Sequence, residues 1–142
     1  MRSELSGTRL PARAARRYNN WEIAVYALFL QGGLSRHIHT EDVALKCFEL
    51  APDAFSWVRH PQFPDKDIAR VALTDARKSG RGTLVSGRAG QGKRGSGSAD
   101  GTAATDGWIL TEAGATWVAD PSLNRIQCPP WIRLTVAEGT LA

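Results

Sequence analysis

The sequence predicts a mainly α-helical domain that carries one small β-hairpin. Apolar residues recur at helical spacing in four segments of the chain. Two short apolar runs, residues 83–86 and Gly107–Leu110, flank a stretch rich in glycine and serine, which is typical of a hairpin with a long tip. A chain of 142 residues suits one such domain with tails, because a single core usually needs about 100 to 150 residues.

The first helix is predicted from its two ends. Asn19 or Asn20 is expected to cap its beginning, and Gly32 and Gly33 are expected to end it. Because the segment between them is apolar nearly all round, we expect this helix to be central and buried on most faces.

The second helix follows a short segment, residues 36–39, that reads as a single strand. The hydroxyl of Thr40 is expected to cap this helix, which stops before Pro52. Its apolar stripe comprises Val43, Cys47 and Leu50. We expect that stripe to face the core.

An irregular aromatic connection, residues 51–63, follows the second helix and contains Phe55, Trp57 and Phe63. It is longer than a simple helical turn, so we expect it to pack as a small cluster of its own. Such a cluster is also a candidate surface for a protein partner.

The third helix is predicted over residues 64–78, with Pro64 in its first turn. The residues expected to face inward are Ile68, Ala72 and Ala76. The residues expected to share one outward, basic and polar face are Lys66, Arg70, Thr74 and Arg77. That face is either a DNA-reading surface or an ordinary solvated one.

The hairpin tip, about residues 87–106, is expected to be disordered in the free protein because of its composition. After the second strand, Thr111 is expected to cap a last helix, Glu112–Ala119. The residues of that helix available for burial are Ala113, Trp117 and Val118.

The remaining parts are a basic flexible arm, residues 1–18, and a C-terminal extension, residues 120–142. With only two cysteines, Cys47 and Cys128, we expect neither a disulfide framework nor a cysteine-based zinc site. No apolar run approaches the roughly 20 residues of a membrane span, and the arm lacks the apolar core of a secretory signal. We therefore expect a cytoplasmic protein without a membrane partner.

The positive charges are clustered, although the net charge is only +4. Five arginines lie in the arm, and six basic residues lie between positions 76 and 99 with no acidic residue among them. Clustering of this kind indicates a polyanionic partner. The alternative is that these segments are simply solvated.

Residues 108–114, Trp-Ile-Leu-Thr-Glu-Ala-Gly, resemble the strand and "LTxxG" segment that closes the wing in MarR-like and PadR-like winged helix-turn-helix regulators. The order helix, short strand, helix, helix, strand, long tip, strand is similar to the same fold over about residues 19–119. The resemblance implies that residues 64–78 form a recognition helix and residues 83–110 a wing. The aromatic connection and the enlarged tip depart from the common pattern.

Duplex DNA is thus the expected partner, because such a helix fits the major groove while basic arms and wings contact phosphates. The candidate residues on and after the third helix are Lys66, Arg70, Thr74, Arg77, Lys78 and Arg81. The candidates in the hairpin and the arm are Arg88, Lys93, Arg94, Arg13, Arg16 and Arg17.

Other chemistry is weakly supported. Residues 87–94 almost spell a phosphate-binding loop, but Arg94 stands where a hydroxyl is needed and no helix follows. An incomplete metal pattern is formed by His37, His39, Cys47 and His60. Since no catalytic constellation is recognisable either, we expect no enzyme, no metal and no cofactor.

Two functions remain in view. The first is a sequence-preferring, DNA-binding transcriptional regulator that acts by steric occupancy of its site. A homodimer through the first helix or the C-terminal extension is compatible with it. The second is an adaptor subunit of a larger nucleic-acid-processing or phage-defence assembly, which would use residues 51–63 or the C-terminal extension as its partner surface.

Overall fold

A computed structural model describes residues 18–90, 106–124 and 126 of the chain. Its elements in chain order are α1 (Asn20–Leu30), α2 (Thr40–Leu50), α3 (Lys66–Arg77), β1 (Val85–Arg88), β2 (Gly107–Leu110) and α4 (Glu112–Ala119). A short 3-10 turn, Ser79–Arg81, joins α3 to the hairpin. The prediction of a mainly helical domain with one small hairpin is confirmed.

Helix α1 is the centre of the fold, as predicted. Asn19 precedes its first turn, and the Glu22 carboxylate accepts a hydrogen bond of 2.8 Å from the Asn19 N–H. The helix ends before Gly32, which has the positive φ of 100° that favours glycine. Residues 22–29 are all buried, because α1 packs against α2, α3 and α4.

Two further helices complete the core around α1. In α2 the predicted stripe of Val43, Cys47 and Leu50 is buried. Helix α3 contacts both α1 and α2, so the three helices bury one another. Trp108 is buried in the same core, and Trp21 is partly buried against it. No helix in the described part of the chain combines the length and apolarity needed to cross a membrane.

The β-hairpin covers one end of these helices. Its strands are antiparallel, with Val85 opposite Leu110 and Arg88 opposite Gly107. The strand predicted over residues 36–39 is reduced to one bridging residue, since Ile38 exchanges two backbone hydrogen bonds with Trp108, of 2.8 and 2.9 Å. A third strand position is therefore occupied beside β2, but only by a single residue.

The first hairpin strand begins two residues later than predicted and ends later too. Gly82 and Thr83 have positive φ values of 101° and 52°, so the chain turns there and becomes extended only afterwards. Strand β1 consequently includes Gly87 and Arg88, which corrects the expectation that the disordered tip starts at residue 87. Residues 91–105 of the tip lie outside the described residues.

The N-termini of α2 and α3 differ from the predictions. The residue that caps α2 is His39 and not the predicted Thr40. The Nδ1 atom of His39 accepts a 3.0 Å hydrogen bond from the N–H of Glu41. Thr40 is buried as the first helical residue, and its hydroxyl binds other groups described below. Helix α3 is capped by Asp65 and does not include Pro64, because the chain there is still extended in a bridge with Ser56.

The buried faces of α3 and α4 were predicted only in part. In α3 the buried residues are Ala69, Ala72, Leu73 and Ala76, whereas Ile68 is partly exposed. Packing against two helices at once rotates the buried stripe away from the position predicted from spacing alone. In α4 Trp117 and Val118 are buried as predicted, but Ala113 is exposed and Gly114 is buried instead.

Candidate nucleic-acid interface

The candidate interface is built on the solvent-facing side of α3. Rotation of the buried stripe leaves Asp67 and Val71 at the centre of this side, with Arg70 beside them, and Lys78 directly follows the last helical residue. The side chains of Arg70 and Lys78 are 44% and 67% exposed. All the predicted basic candidates from Lys66 to Arg88 are exposed, and Thr74 is half-buried with its hydroxyl donating to the Arg70 carbonyl.

Carboxylates lie close to several of these cations. Asp75 lies 3.3 Å from Arg81 Nε and 3.8 Å from Lys78 Nζ. On the other side of α3, Lys66 Nζ lies 3.8 Å from a carboxylate oxygen of Glu41. Exposed pairs of this kind contribute only about 0 to 1 kcal/mol to stability, so the cations remain free to exchange partners with an anionic ligand.

Arg77 connects α3 to the hairpin. Its Nη1 donates a 2.6 Å hydrogen bond to the carbonyl oxygen of Gly87, and its guanidinium lies 5.4 Å from the centre of the Trp108 ring. Although Arg77 was predicted as a groove-contacting residue, part of its hydrogen-bonding capacity is used within the protein. The contact joins the basic flank of α3 and strand β1 into one continuous surface.

A shallow depression of about 790 Å³ lies between the exposed side of α3, with Asp67 and Arg70, and the start of α1. Residues 18–21 at the start of α1 form one wall, and α3 with Lys78 and Arg81 forms the other. The Arg81 guanidinium lies 5.3 Å from the centre of the Trp21 ring. Because Tyr18 belongs to this wall, the N-terminal arm is attached to the domain beside the exposed side of α3.

Asp106 holds the base of the hairpin. Its Oδ1 accepts hydrogen bonds from the N–H and hydroxyl of Thr40, at 2.8 and 2.7 Å, and its Oδ2 accepts one of 2.8 Å from the N–H of Gly90. Trp108 Nε1 donates to the same Thr40 hydroxyl at 2.8 Å. The two ends of the hairpin tip are thereby joined to each other and to α2. No pattern in the sequence identified Asp106, because its partner in α2 is 66 residues away.

The environment of Asp106 changes its acidity. Burial is the largest single influence and acts to raise the pKa of this carboxyl. The hydrogen bonds from Thr40 and Gly90, with the nearby His39, act in the opposite direction, and their combined effect lowers the pKa below its ordinary value. Asp106 therefore loses its proton more readily in the folded protein than in the unfolded chain.

Replacement of Asp106 is expected to remove a pH-dependent part of the stability. A carboxyl with a lowered pKa in the folded state stabilises the fold above its unfolded pKa of about 4, and this contribution is lost as the pH falls below that value. Asp106→Asn should lower the free energy of unfolding by about 2 kcal/mol at neutral pH, and the difference from the wild type should shrink in acid.

Urea unfolding at several pH values measures this difference. Asp53→Asn is the matched control, because Asp53 is exposed and should leave both the stability and its pH dependence nearly unchanged. A deficit in Asp106→Asn that is the same at all pH values would contradict the role assigned to the charge.

The aromatic connection forms a small, partly exposed cluster, as predicted. The Trp57 ring lies 5.2 Å from the Phe63 ring and 6.2 Å from the His60 ring. Its base is closed by the bridge between Ser56 and Pro64, and Phe55 beneath it is fully buried. Trp57 and Phe63 are each 47% exposed, and Val58 at the tip is 95% exposed.

Several predicted residues lie outside the described part of the chain. They are Arg13, Arg16, Arg17, Lys93 and Arg94. Residues 91–94 of the segment that resembles a phosphate-binding loop lie outside it as well. Within the described residues, no group of three histidine, cysteine or acidic side chains is placed to hold a metal ion. Cys47 is buried in the core, and this burial raises the pKa of its thiol.

The surface around α3 therefore combines exposed cations, a hairpin and the attachment point of a basic arm. No known family, curated protein or solved structure matches this chain. Its function has to be inferred from the site itself.

Proposed function

We propose that this chain is a winged helix-turn-helix protein that binds duplex DNA, with α3 as the recognition helix and the β-hairpin as the wing. The order of elements supports the proposal, since Ile38 supplies a strand position between α1 and α2, beside β2. Helix α3 has 12 residues and is therefore about 18 Å long, a size that the major groove accommodates.

The proposal depends most on the position of α3 between the other two basic parts of the chain. On one flank Tyr18 attaches the arginine-rich arm, and on the other flank Arg77 binds the hairpin through Gly87. A duplex that receives α3 in its major groove has phosphates on both sides of that helix. In such a complex, the arm and the wing are attached to the domain on the two sides of α3 that face the phosphates.

Different residues then have different roles. The exposed side of α3 contacts base edges, while Lys78, Arg81 and Arg88, with the arm and the hairpin tip, neutralise phosphates. A protein of this kind regulates transcription by occupying its site and excluding other proteins. That regulatory role follows from binding alone and requires no catalytic group.

The decisive experiment removes two cations from the exposed side of α3. The double variant Arg70→Ala/Lys78→Ala should bind duplex DNA about a hundredfold more weakly than the wild type, because each lost contact costs about tenfold. Fluorescence anisotropy with a labelled duplex measures this effect. We chose these two residues because replacing Arg77 would also release the hairpin.

Arg36→Ala is the matched control for the loss of an arginine. Arg36 is exposed and donates to the carbonyl of Gln31 at the opposite end of α1 from Tyr18. It should bind DNA as the wild type does. Equal affinity of the double variant and this control would remove α3 from the interface.

A protein-binding adaptor is the second candidate, and one observation favours it. The cluster of Trp57, Val58 and Phe63 leaves three neighbouring apolar side chains exposed to solvent, which is typical of a protein-binding surface. If the pure chain does not bind duplex DNA at moderate salt, this cluster becomes the principal candidate surface, and its partner is then a protein.

A further inference from the structure

We propose that Arg70 reads a guanine in the major groove and that Asp67 positions it for this task. The inference rests on the proposed function, and it adds the identity of the base and the residue that reads it. It also gives a role to Asp67, an acidic residue on a surface proposed to face DNA.

The geometry of the pair supports this assignment. Asp67 and Arg70 are three residues apart on the exposed side of α3, and Arg70 Nε donates to Asp67 Oδ1 at 3.1 Å. Their side chains are 75% and 44% exposed. Within the described part of the chain, the Nη1 and Nη2 groups of Arg70 make no hydrogen bond, so both can bind a ligand.

A guanidinium held in this way has the donors that guanine requires. In the major groove guanine presents two adjacent acceptors, O6 and N7, and two parallel N–H groups of an arginine match them. Fixing Nε restricts the plane of the guanidinium before DNA arrives, so less side-chain freedom is lost on binding. Asp67 therefore acts on the base through Arg70.

The other cations of α3 do not offer the same donors. Lys66 carries a single ammonium group, which lacks a planar pair of donors. Arg77 has Nη1 bound to Gly87 and its guanidinium over Trp108, so its donors are directed to the hairpin. Within the described part of α3, Arg70 is the arginine whose two terminal donors remain free on the exposed side.

The test begins with duplexes selected by the wild-type protein from a random pool. Each guanine of the selected site is then replaced, one at a time, by 7-deazaguanine, which lacks the N7 acceptor but retains Watson–Crick pairing. We expect one replacement to lower wild-type affinity about tenfold. Arg70→Ala should be indifferent to that replacement, because alanine has no donor for the N7 acceptor.

Two further variants separate positioning from charge. Lys78→Ala should bind more weakly overall but retain the tenfold penalty, since it loses a phosphate contact only. Asp67→Ala removes the acceptor for Arg70 Nε and should show a smaller penalty than the wild type while its helical circular dichroism is unchanged, because an exposed ion pair contributes little to folding.

Each result has one meaning. If binding is salt-sensitive but no guanine is sensitive to replacement, or if Arg70→Ala keeps the penalty, the guanine assignment is wrong and the DNA-binding function stands. If Asp67→Ala keeps the full penalty, the positioning role of Asp67 is wrong. If the wild type does not bind duplex DNA, the proposed function itself is wrong, and the reading of guanine is wrong with it.

Discussion

The affinity of this protein for duplex DNA is expected to fall by about three orders of magnitude when the salt concentration rises from about 50 to 200 mM. Each phosphate that a lysine or arginine neutralises releases condensed counterions, and added salt reverses that gain. The expected size corresponds to about six phosphate contacts. The described residues supply Lys78, Arg81 and Arg88, and the arm and tip supply further arginines and a lysine.

Anisotropy titrations at several potassium chloride concentrations measure the slope of log affinity against log salt concentration. Arg81→Ala should reduce the magnitude of this slope by about one, because one phosphate contact is lost. Arg36→Ala should leave it unchanged. A slope near zero for the wild type would mean that phosphates are not contacted, and the DNA-binding proposal would have to be abandoned.

Trp108→Ala is expected to lower the free energy of unfolding by about 4 kcal/mol. Trp108 is fully buried and connects three parts of the fold. Its indole donates to Thr40 in α2, its backbone pairs with Ile38, and its ring lies beneath the guanidinium of Arg77 from α3. Alanine would leave a large cavity and would remove the donor to a buried hydroxyl.

Urea unfolding followed by circular dichroism measures this loss. Trp108→Phe retains most of the buried volume but not the indole donor, so we expect an intermediate loss of about 2 kcal/mol. Trp57→Ala is the matched control, because Trp57 is 47% exposed in the aromatic cluster and should cost much less. Equal losses at Trp57 and Trp108 would contradict the expectation that the buried contacts of Trp108 contribute more to stability than those of an exposed tryptophan.

The loss at Trp108 should extend to DNA binding. The hairpin is held to α2 and α3 by Trp108, Asp106 and Arg77, so its base is a rigid part of the surface around α3. When Trp108 is replaced, the hairpin and α3 lose their fixed relation. A DNA-binding surface made from the hairpin and α3 requires a fixed position of one relative to the other, because contacts displaced by about 1 Å are weakened.

The sequence predicted which residues form the candidate site but not which of their side chains contact one another. The sequence showed which residues near α3 are basic, and their exposure agrees with that expectation. It did not show that Asp67 holds Arg70, that Asp75 lies near two cations, or that Arg77 binds the hairpin. These contacts depend on which side of α3 is buried, and the spacing of apolar residues gave that direction only approximately.

The sequence by itself determined the four helices, the hairpin and the ends of α1 and α4, but not the reduction of the strand over residues 36–39 to one bridging residue. Caps such as Asn19 and Thr111 act on backbone groups within three residues, so their effect can be read locally. Only the tertiary structure decided the partners of Thr40 and Asp106, and the need for Gly114, where a Cβ atom would overlap the Leu84 carbonyl. Such contacts join residues far apart in the chain, and their positions are set by how whole helices pack together.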